Sequence, residues 1–225
     1  MGCIAVLGGT GPEGFGLGLR FAQCGEQVRL GSREAGRAAD AARKANEKLS
    51  AAGISATVEG AENAAAVEGA DLVVFAFPYE GVQGLVPALR PKLRDKVVLE
   101  VVNPLELKDG VSRLGQVAAG SAAEEIQALL PESQVVSGFK NQSATELKDL
   151  RQPLHGDVLI CGDHAAAKEQ IAALVRRIPE LRPVDAGALV NARALEAMTA
   201  LLLNLNRRFK TLTSVQVLGL PPHQR

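Results

Sequence analysis

Short apolar runs alternate along this chain with longer stretches of helical composition. Ile4 to Leu7 is an unbroken apolar run close to glycines, as in a strand buried on both faces of a parallel sheet. Pro12 follows at a position suited to the first turn of a helix, and Gly25 suits that helix's end. Gln27 to Leu30 predicts a second strand, and the Ala-, Glu-, Lys- and Arg-rich stretch from Glu34 to Ala52 predicts a helix. Ser55 to Val58 predicts a short third strand. A small helix over Glu62 to Val67 leads into the apolar run Asp71 to Phe77, which Pro78 ends. Further strands are expected at Lys96 to Val102, Ser133 to Gly138, Asp157 to Cys161 and Leu181 to Val184, with helices near His164 to Arg177 and over Asn191 to Lys210. Strands alternating with helices predict an α/β fold with a doubly wound, mostly parallel sheet. No repeat, low-complexity segment or long linker breaks the pattern. The expected division is therefore one unit over 1–153 and a small helical or mixed portion over 154–225.

Composition narrows the function classes. With Lys plus Arg at 25 and Asp plus Glu at 25, there is no net charge. A neutral chain has no broad basic field for nucleic acid and no polybasic segment for anionic lipid. One Tyr and no Trp argue against base-stacking platforms, and 47% hydrophobic residues exclude general disorder. Cys3, Cys24 and Cys161 are odd in number and far apart, with no zinc spacing, so they read as reduced thiols of a cytoplasmic protein, and no metal site is expected. The opening strand leaves no room for a signal peptide. Met1-Gly2 lacks the Ser or Thr that myristoylation wants where Val6 stands. Ala194 to Leu205 is too short to span a bilayer and holds Glu196, Thr199 and Asn204.

The sharpest chemical signal is Gly8-Gly9-Thr10-Gly11-Pro12-Glu13-Gly14, between the first strand and the first helix. Gly9, Gly11 and Gly14 form G-x-G-x-x-G in the strand–turn–helix setting of a Rossmann dinucleotide-binding loop. Gly9 is expected to allow the tight turn, Gly11 to let the backbone approach a pyrophosphate, and Gly14 to let the helix pack on the strand. The helix N-terminus, where Pro12 and Glu13 stand, supplies unpaired N–H donors beyond the proline and partial positive charge to that anion. An NAD site wants a carboxylate at the end of the second strand. This chain has Gly31-Ser32-Arg33 there. Ser32 can donate to a 2′-phosphate, Arg33 can clamp it, and Thr10 adds a hydroxyl, so the expected dinucleotide is NADP(H).

Ligands of open α/β sheets sit beyond the carboxyl ends of the strands. Pro78, Tyr79, Asn103, Pro104 and Lys140 with Asn141 fall there. Pro78 and Pro104 are expected to shape loops around a nicotinamide ring. Tyr79 either covers a cofactor face or sits at the rim, and Lys140 either pairs with an anionic or phenolate group or is solvated. His155, His164 and His223 are scattered, and no nucleophile elbow, zinc-protease or P-loop lysine motif occurs. No catalytic side chain is therefore expected. Hydride transfer between two bound cofactors needs mainly stacking, orientation and exclusion of water.

Several segments together resemble the NADPH-dependent coenzyme F-420 (F420) reductases, or F420:NADP oxidoreductases. They are Val6 to Gly14, Gly31-Ser32-Arg33, Cys161-Gly162-Asp163, Leu181 to Gly187, Asn191-Ala192-Arg193 and Leu202 to Lys210. The resemblance covers nearly the whole chain, and its C-terminal segments are the more particular ones. It implies a Rossmann domain carrying NADP(H), with F420, an 8-hydroxy-5-deazaflavin, as co-substrate in a shared cleft. It also implies hydride transfer between the two rings, help from the small C-terminal portion in holding the deazaflavin, and a homodimer; the apolar 194–205 helix suits a dimer or domain contact. It places Thr10, Ser32 and Arg33 on the 2′-phosphate, and Arg193 and Thr199 near the deazaflavin. Lys140 stands where related sequences often have His, and Ala197 where some have Ser. The alternatives are an NADPH-dependent reductase of a flavin, ferric chelate or small carbonyl or imine, and a non-catalytic NADP(H)-binding redox sensor.

Overall fold

The structure, a computed structural model, describes residues 2–221. The expectations placed on Met1 and His223 lie outside the described residues. In chain order the elements are β1 (Cys3–Leu7), α1 (Pro12–Gln23), β2 (Gln27–Ser32), α2 (Ala35–Ala51), β3 (Val58–Glu62), α3 (Asn63–Ala66), β4 (Leu72–Phe75), α4 (Val82–Leu93), β5 (Val97–Glu100), β6 (Leu105–Lys108), β7 (Val111–Leu114), α5 (Ala122–Leu129), β8 (Gln134–Ser137), α6 (Ala144–Leu147), β9 (Gly156–Gly162), α7 (Ala165–Val175), β10 (Leu181–Asp185) and α8 (Ala192–Phe209).

Eight strands form one sheet in the order β10-β9-β8-β5-β4-β1-β2-β3. All pair in parallel except β8 with β9, so the fold is α/β, Rossmann-type and mostly parallel, as the alternation predicts. Strand β1 shows why. Ile4 and Val6 pack into the core on one face, Ala5 and Leu7 into the core on the other, so an unbroken apolar run is needed. Helices α1, α2 and α7 cover the first face; α4, α5 and α8 cover the second.

The strand ends are aligned. Gly31 pairs with Leu7, Leu7 with Phe75, Phe75 with Glu100, Glu100 with Ser137 and Ser137 with Cys161. The loops that follow β1, β2, β4, β5 and β8 therefore emerge side by side at one edge of the sheet, while antiparallel β9 runs the other way.

Three features depart from the sequence reading. The third strand starts at Val58, whereas the sequence pattern places it over Ser55 to Val58. Asn46 of α2 holds the Val58 backbone through both its amide groups, at 2.8 and 3.0 Å, and a Cβ at Gly60 would stand 2.3 Å from the Ala38 carbonyl oxygen. Packing on α2 chooses this register. Helices α4, α5 and α6 and the β6–β7 hairpin do not emerge from the sequence pattern. Pro87 and Pro91 lie inside α4 and conceal it. The hairpin's Ser112 is paired, at 2.8 and 2.9 Å, with the side chain of Asn204, far along the chain. Finally, the chain beyond 153 adds β9 and β10 to the same sheet, so the two sides of the expected 153/154 division share one sheet.

Candidate cofactor cleft

The glycine loop leaves the row of strand ends between β1 and α1. The residue with positive φ is Gly8 (82°), where a Cβ would lie 2.5 Å from the Ala76 carbonyl oxygen. The tight turn expected of Gly9 thus belongs to Gly8. Gly9 instead lies against β2. Its N–H donates to the Gly31 carbonyl (3.1 Å), and a Cβ there would meet the Leu30 Cβ at 2.8 Å. A Cβ on Gly14 would stand 2.6 Å from the Gly8 carbonyl oxygen, which is the close helix–strand packing expected. Gly11 differs: one atom, the Gly8 carbonyl oxygen at 3.3 Å, is all that a Cβ would meet. Its outer side is open, and no side chain caps the start of α1. The Gly11 N–H is given to the Gly8 carbonyl (2.9 Å) and Pro12 has none, so the uncapped first turn leaves the N–H groups of Glu13 and Gly14, beside the open Gly11 backbone, as a cradle that fits an anion.

The Gly9–Gly31 hydrogen bond also sets Thr10 beside the end of β2. Ser32 closes that strand, is largely buried, and its Oγ accepts from the Glu34 N–H at 3.4 Å. Arg33 is exposed and has no ion pair among the described residues. A hydroxyl at a strand end with an uncommitted guanidinium next to it fits a phosphate on the ribose better than a diol.

From the start of α1 a cleft of about 460 Å³ runs over the row of strand ends to α8. Gly11, Pro12 and Glu13 line one end, and Thr199, Leu202, Leu203 and Asn206 line the other. Ala76, Phe77, Pro78, Val101, Val102 and Asn103 also line it, and the segment Phe139 to Thr145 adds a further wall. Arg20 holds that wall's far end. Its buried guanidinium donates to the carbonyls of Glu146, Leu147, Asp149 and Gln152, at 2.6–3.0 Å. The Thr199 hydroxyl donates to the Lys140 carbonyl (2.7 Å) and lies 3.2 Å from the Asn103 carboxamide oxygen, which ties α8 to two loops of the sheet.

Other expected site residues lie elsewhere. The Lys140 ammonium points into the core, donating to Glu100 Oε1 (2.9 Å), Glu196 Oε1 (3.4 Å) and the Val102 carbonyl. All three charged side chains are fully buried. So Lys140 is neither solvated nor free to meet a ligand; only its backbone faces the cleft. Glu196 also accepts from the Ala122 N–H (3.0 Å). Burial drives the Glu100 and Glu196 carboxyls upward, Glu196 to about 7, while Lys140 pulls both down. The Tyr79 hydroxyl donates to Glu125 Oε2 on α5, so the ring stands on that side and not in the cleft. Burial first, and that carboxylate second, push its phenol up to about 12. Pro104 starts the hairpin, its carbonyl accepting from the Gly115 N–H. Arg193 is exposed and donates to the Gly120 carbonyl (2.7 Å), apart from Thr199.

Among the cleft residues missed from the sequence are Phe77, Gln142, Thr145, Leu202, Leu203, Asn206, Leu212 and Thr213. One signal existed. Thr199, Leu202, Leu203 and Asn206 repeat at helical spacing and mark the inner stripe of α8. The others depend on tertiary folding. The left-handed residue Lys210 turns the chain back, and Asn206 Oδ1 accepts from the N–H and hydroxyl of Thr213, at 2.7 Å each, bringing Leu212 and Thr213 over the cleft.

Glu13 is the cleft's notable charge. Its carboxyl is pushed up to about 8 by burial, opposed by Lys148, and its Oε1 is buried without a hydrogen-bond partner. Otherwise the lining is apolar or amide and hydroxyl. It can hold flat rings and exclude water, but carries no nucleophile–base pair. No His/Cys/Asp/Glu cluster among the described residues could hold a metal ion, and no helix among them is long and apolar enough to cross a membrane.

The family model for coenzyme F420-dependent NADP oxidoreductases matches residues 3–104. The chain is 40% identical to the F420-dependent NADP reductase of Methanocaldococcus jannaschii, over 92% of this chain and 94% of that protein. It is 38% identical to the enzyme of the same name from Methanothermobacter thermautotrophicus, over 98% and 97%. A crystal structure from Arthrobacter sp. FB24, provisionally designated an F420-dependent NADP-reductase, superposes with a TM-score of 0.79 at 27% identity, covering 96% of this chain and 99% of the other.

Proposed function

Because the chain belongs to the F420-dependent NADP oxidoreductase family, we propose that it transfers a hydride between NADP(H) and F420 held together in the cleft described above. One observation carries the reading: a single cleft runs from the bare, uncapped start of α1 to the inner stripe of α8. When bound, the two cofactors supply the redox chemistry, nicotinamide giving or taking the hydride at the deazaflavin ring. The protein binds, orients and keeps water out.

The open backbone at Gly11 and the α1 N–H groups hold the pyrophosphate. Thr10, Ser32 and Arg33 hold the 2′-phosphate and so choose NADP(H) over NAD(H). Ala76, Phe77 and Pro78 shape the floor beneath the nicotinamide, with Asn103 and Thr199 as polar neighbours. The deazaflavin lies toward α8, against Leu202, Leu203 and Asn206, with Arg193 and Tyr79 outside the cleft. The residues beyond 153 contribute this side of the site. A homodimer forms through the outer face of α8, where Leu201 and Phe209 are each more than half exposed. The three unpaired cysteines fit a cytoplasmic setting.

The test is a spectrophotometric assay of the purified protein with NADPH or NADH against F420, FMN, FAD and a ferric chelate. Turnover with NADPH and F420 alone is expected. Turnover with FMN or the chelate alone would make this a reductase of another acceptor. Tight NADPH binding with no oxidation by any acceptor would make it a redox sensor.

A further inference from the structure

Glu13 occupies an unusual place for a carboxylate. It is the second residue of α1, beside the backbone N–H groups that the family reading gives to a pyrophosphate. Its side chain lines the cleft, and one carboxyl oxygen is buried with nothing to bond to. The facing charged group is Lys148, just past the end of α6 on the neighbouring wall, and it forms no ion pair with Glu13. Ionised, this carboxyl would set a negative charge against an anionic ligand in a dry site. Protonated, it has an O–H to donate and removes the repulsion.

We propose that Glu13 is a ligand-contacting residue that works in its neutral form, so that NADP(H) binding is linked to protonation of its carboxyl. This rests on the family reading of the cleft. The proton comes from solvent and stays on the carboxyl while the dinucleotide is bound; no other bond changes.

The expected size follows from the burial that pushes this carboxyl up to about 8. Below that pH the site is already in its binding form. Above it, each unit of pH costs up to tenfold in affinity, because a proton must be taken up. Between pH 7 and pH 9 the NADPH dissociation constant should therefore rise about tenfold. The Glu13→Gln variant keeps a donor at the same place but cannot ionise, so its dissociation constant should change less than twofold over that range. A second measurement needs no variant. Calorimetric titration of the wild-type protein at pH 8, in buffers of different ionisation heat, should show about half a proton taken up per NADPH bound. Parallel pH profiles for the two proteins, or no proton uptake by the wild type, would overturn the proposal and leave the cleft assignment standing. Failure of both proteins to bind NADPH at any pH would instead remove the family reading beneath it.

Discussion

Replacing Lys140 by Met tests the buried charge cluster under the cleft. Lys140, Glu100 and Glu196 are each fully buried, and the ammonium is the cation that both carboxyls share. Removing it leaves two carboxyl groups in a dry interior. Both Glu100 oxygens lie 2.9 Å from that ammonium, and Glu196 Oε2 is already without a hydrogen-bond partner. Breaking a buried ion pair from one side typically costs about 3–5 kcal/mol. In a chain of 225 residues that corresponds to a fall in Tm of roughly 6–20 °C. The loss should also depend on pH. Without Lys140, both carboxyls titrate still further above their unfolded values. Folding of the variant then still requires proton uptake above about pH 7, where the wild-type Glu196 carboxyl ionises, so the variant's deficit is larger at pH 8 than at pH 5. Urea unfolding at both pH values, read by circular dichroism, measures this. Adding Glu100→Gln and Glu196→Gln to the Met variant should recover much of the stability. The amide carbonyl introduced by Glu196→Gln would still accept from the Ala122 N–H, and no charge would remain to be desolvated. A Lys140→Met deficit below about 1 kcal/mol, or one equal at both pH values, would refute the reasoning.

Two further outcomes follow from the site's periphery. Arg33→Ala should weaken NADPH binding roughly ten- to a hundredfold and leave NADH binding nearly unchanged, since one charge-assisted phosphate contact is lost; equal losses for both dinucleotides in a fluorescence titration would remove Arg33 from the 2′-phosphate. Tyr79 is the chain's one tyrosine and there is no tryptophan, so its ionisation can be followed cleanly in the near ultraviolet. Phenolate absorbance should appear with a midpoint near 12, and Glu125→Gln should bring that midpoint part of the way back toward 10, burial accounting for the rest. An ordinary midpoint in the unsubstituted protein would show that the phenol does not meet Glu125.

The alternation of apolar runs and helical stretches was enough to read the α/β sheet, because a strand buried on both faces must be apolar at every position, and β1 is. The glycine loop was legible for a similar reason. Gly14 stands where any Cβ would strike backbone, and Gly11 where one would fill the open cradle, so local sequence carries the constraint. Register places the end of β2, where Ser32 stands and Arg33 follows, next to β1.

Lys140 shows the limit. A lysine following a strand end reads as a cation available to ligands, and its true partners, Glu100 and Glu196, come from a distant strand and a distant helix. Arg193 and Thr199 share one helix, yet α8's rotation sends one to Gly120 and the other into the cleft. The tail residues Leu212 and Thr213 join the cleft only because Lys210 reverses the chain. The sequence alone thus determined the sheet and the glycine loop between β1 and α1, both set by steric and hydrophobic rules acting over a few residues. Only the tertiary structure decided which charges are buried together and which face of α8 meets the cleft. Those depend on burial and on contacts between residues far apart in the chain, and both come into being only when the sheet and helices close on one another.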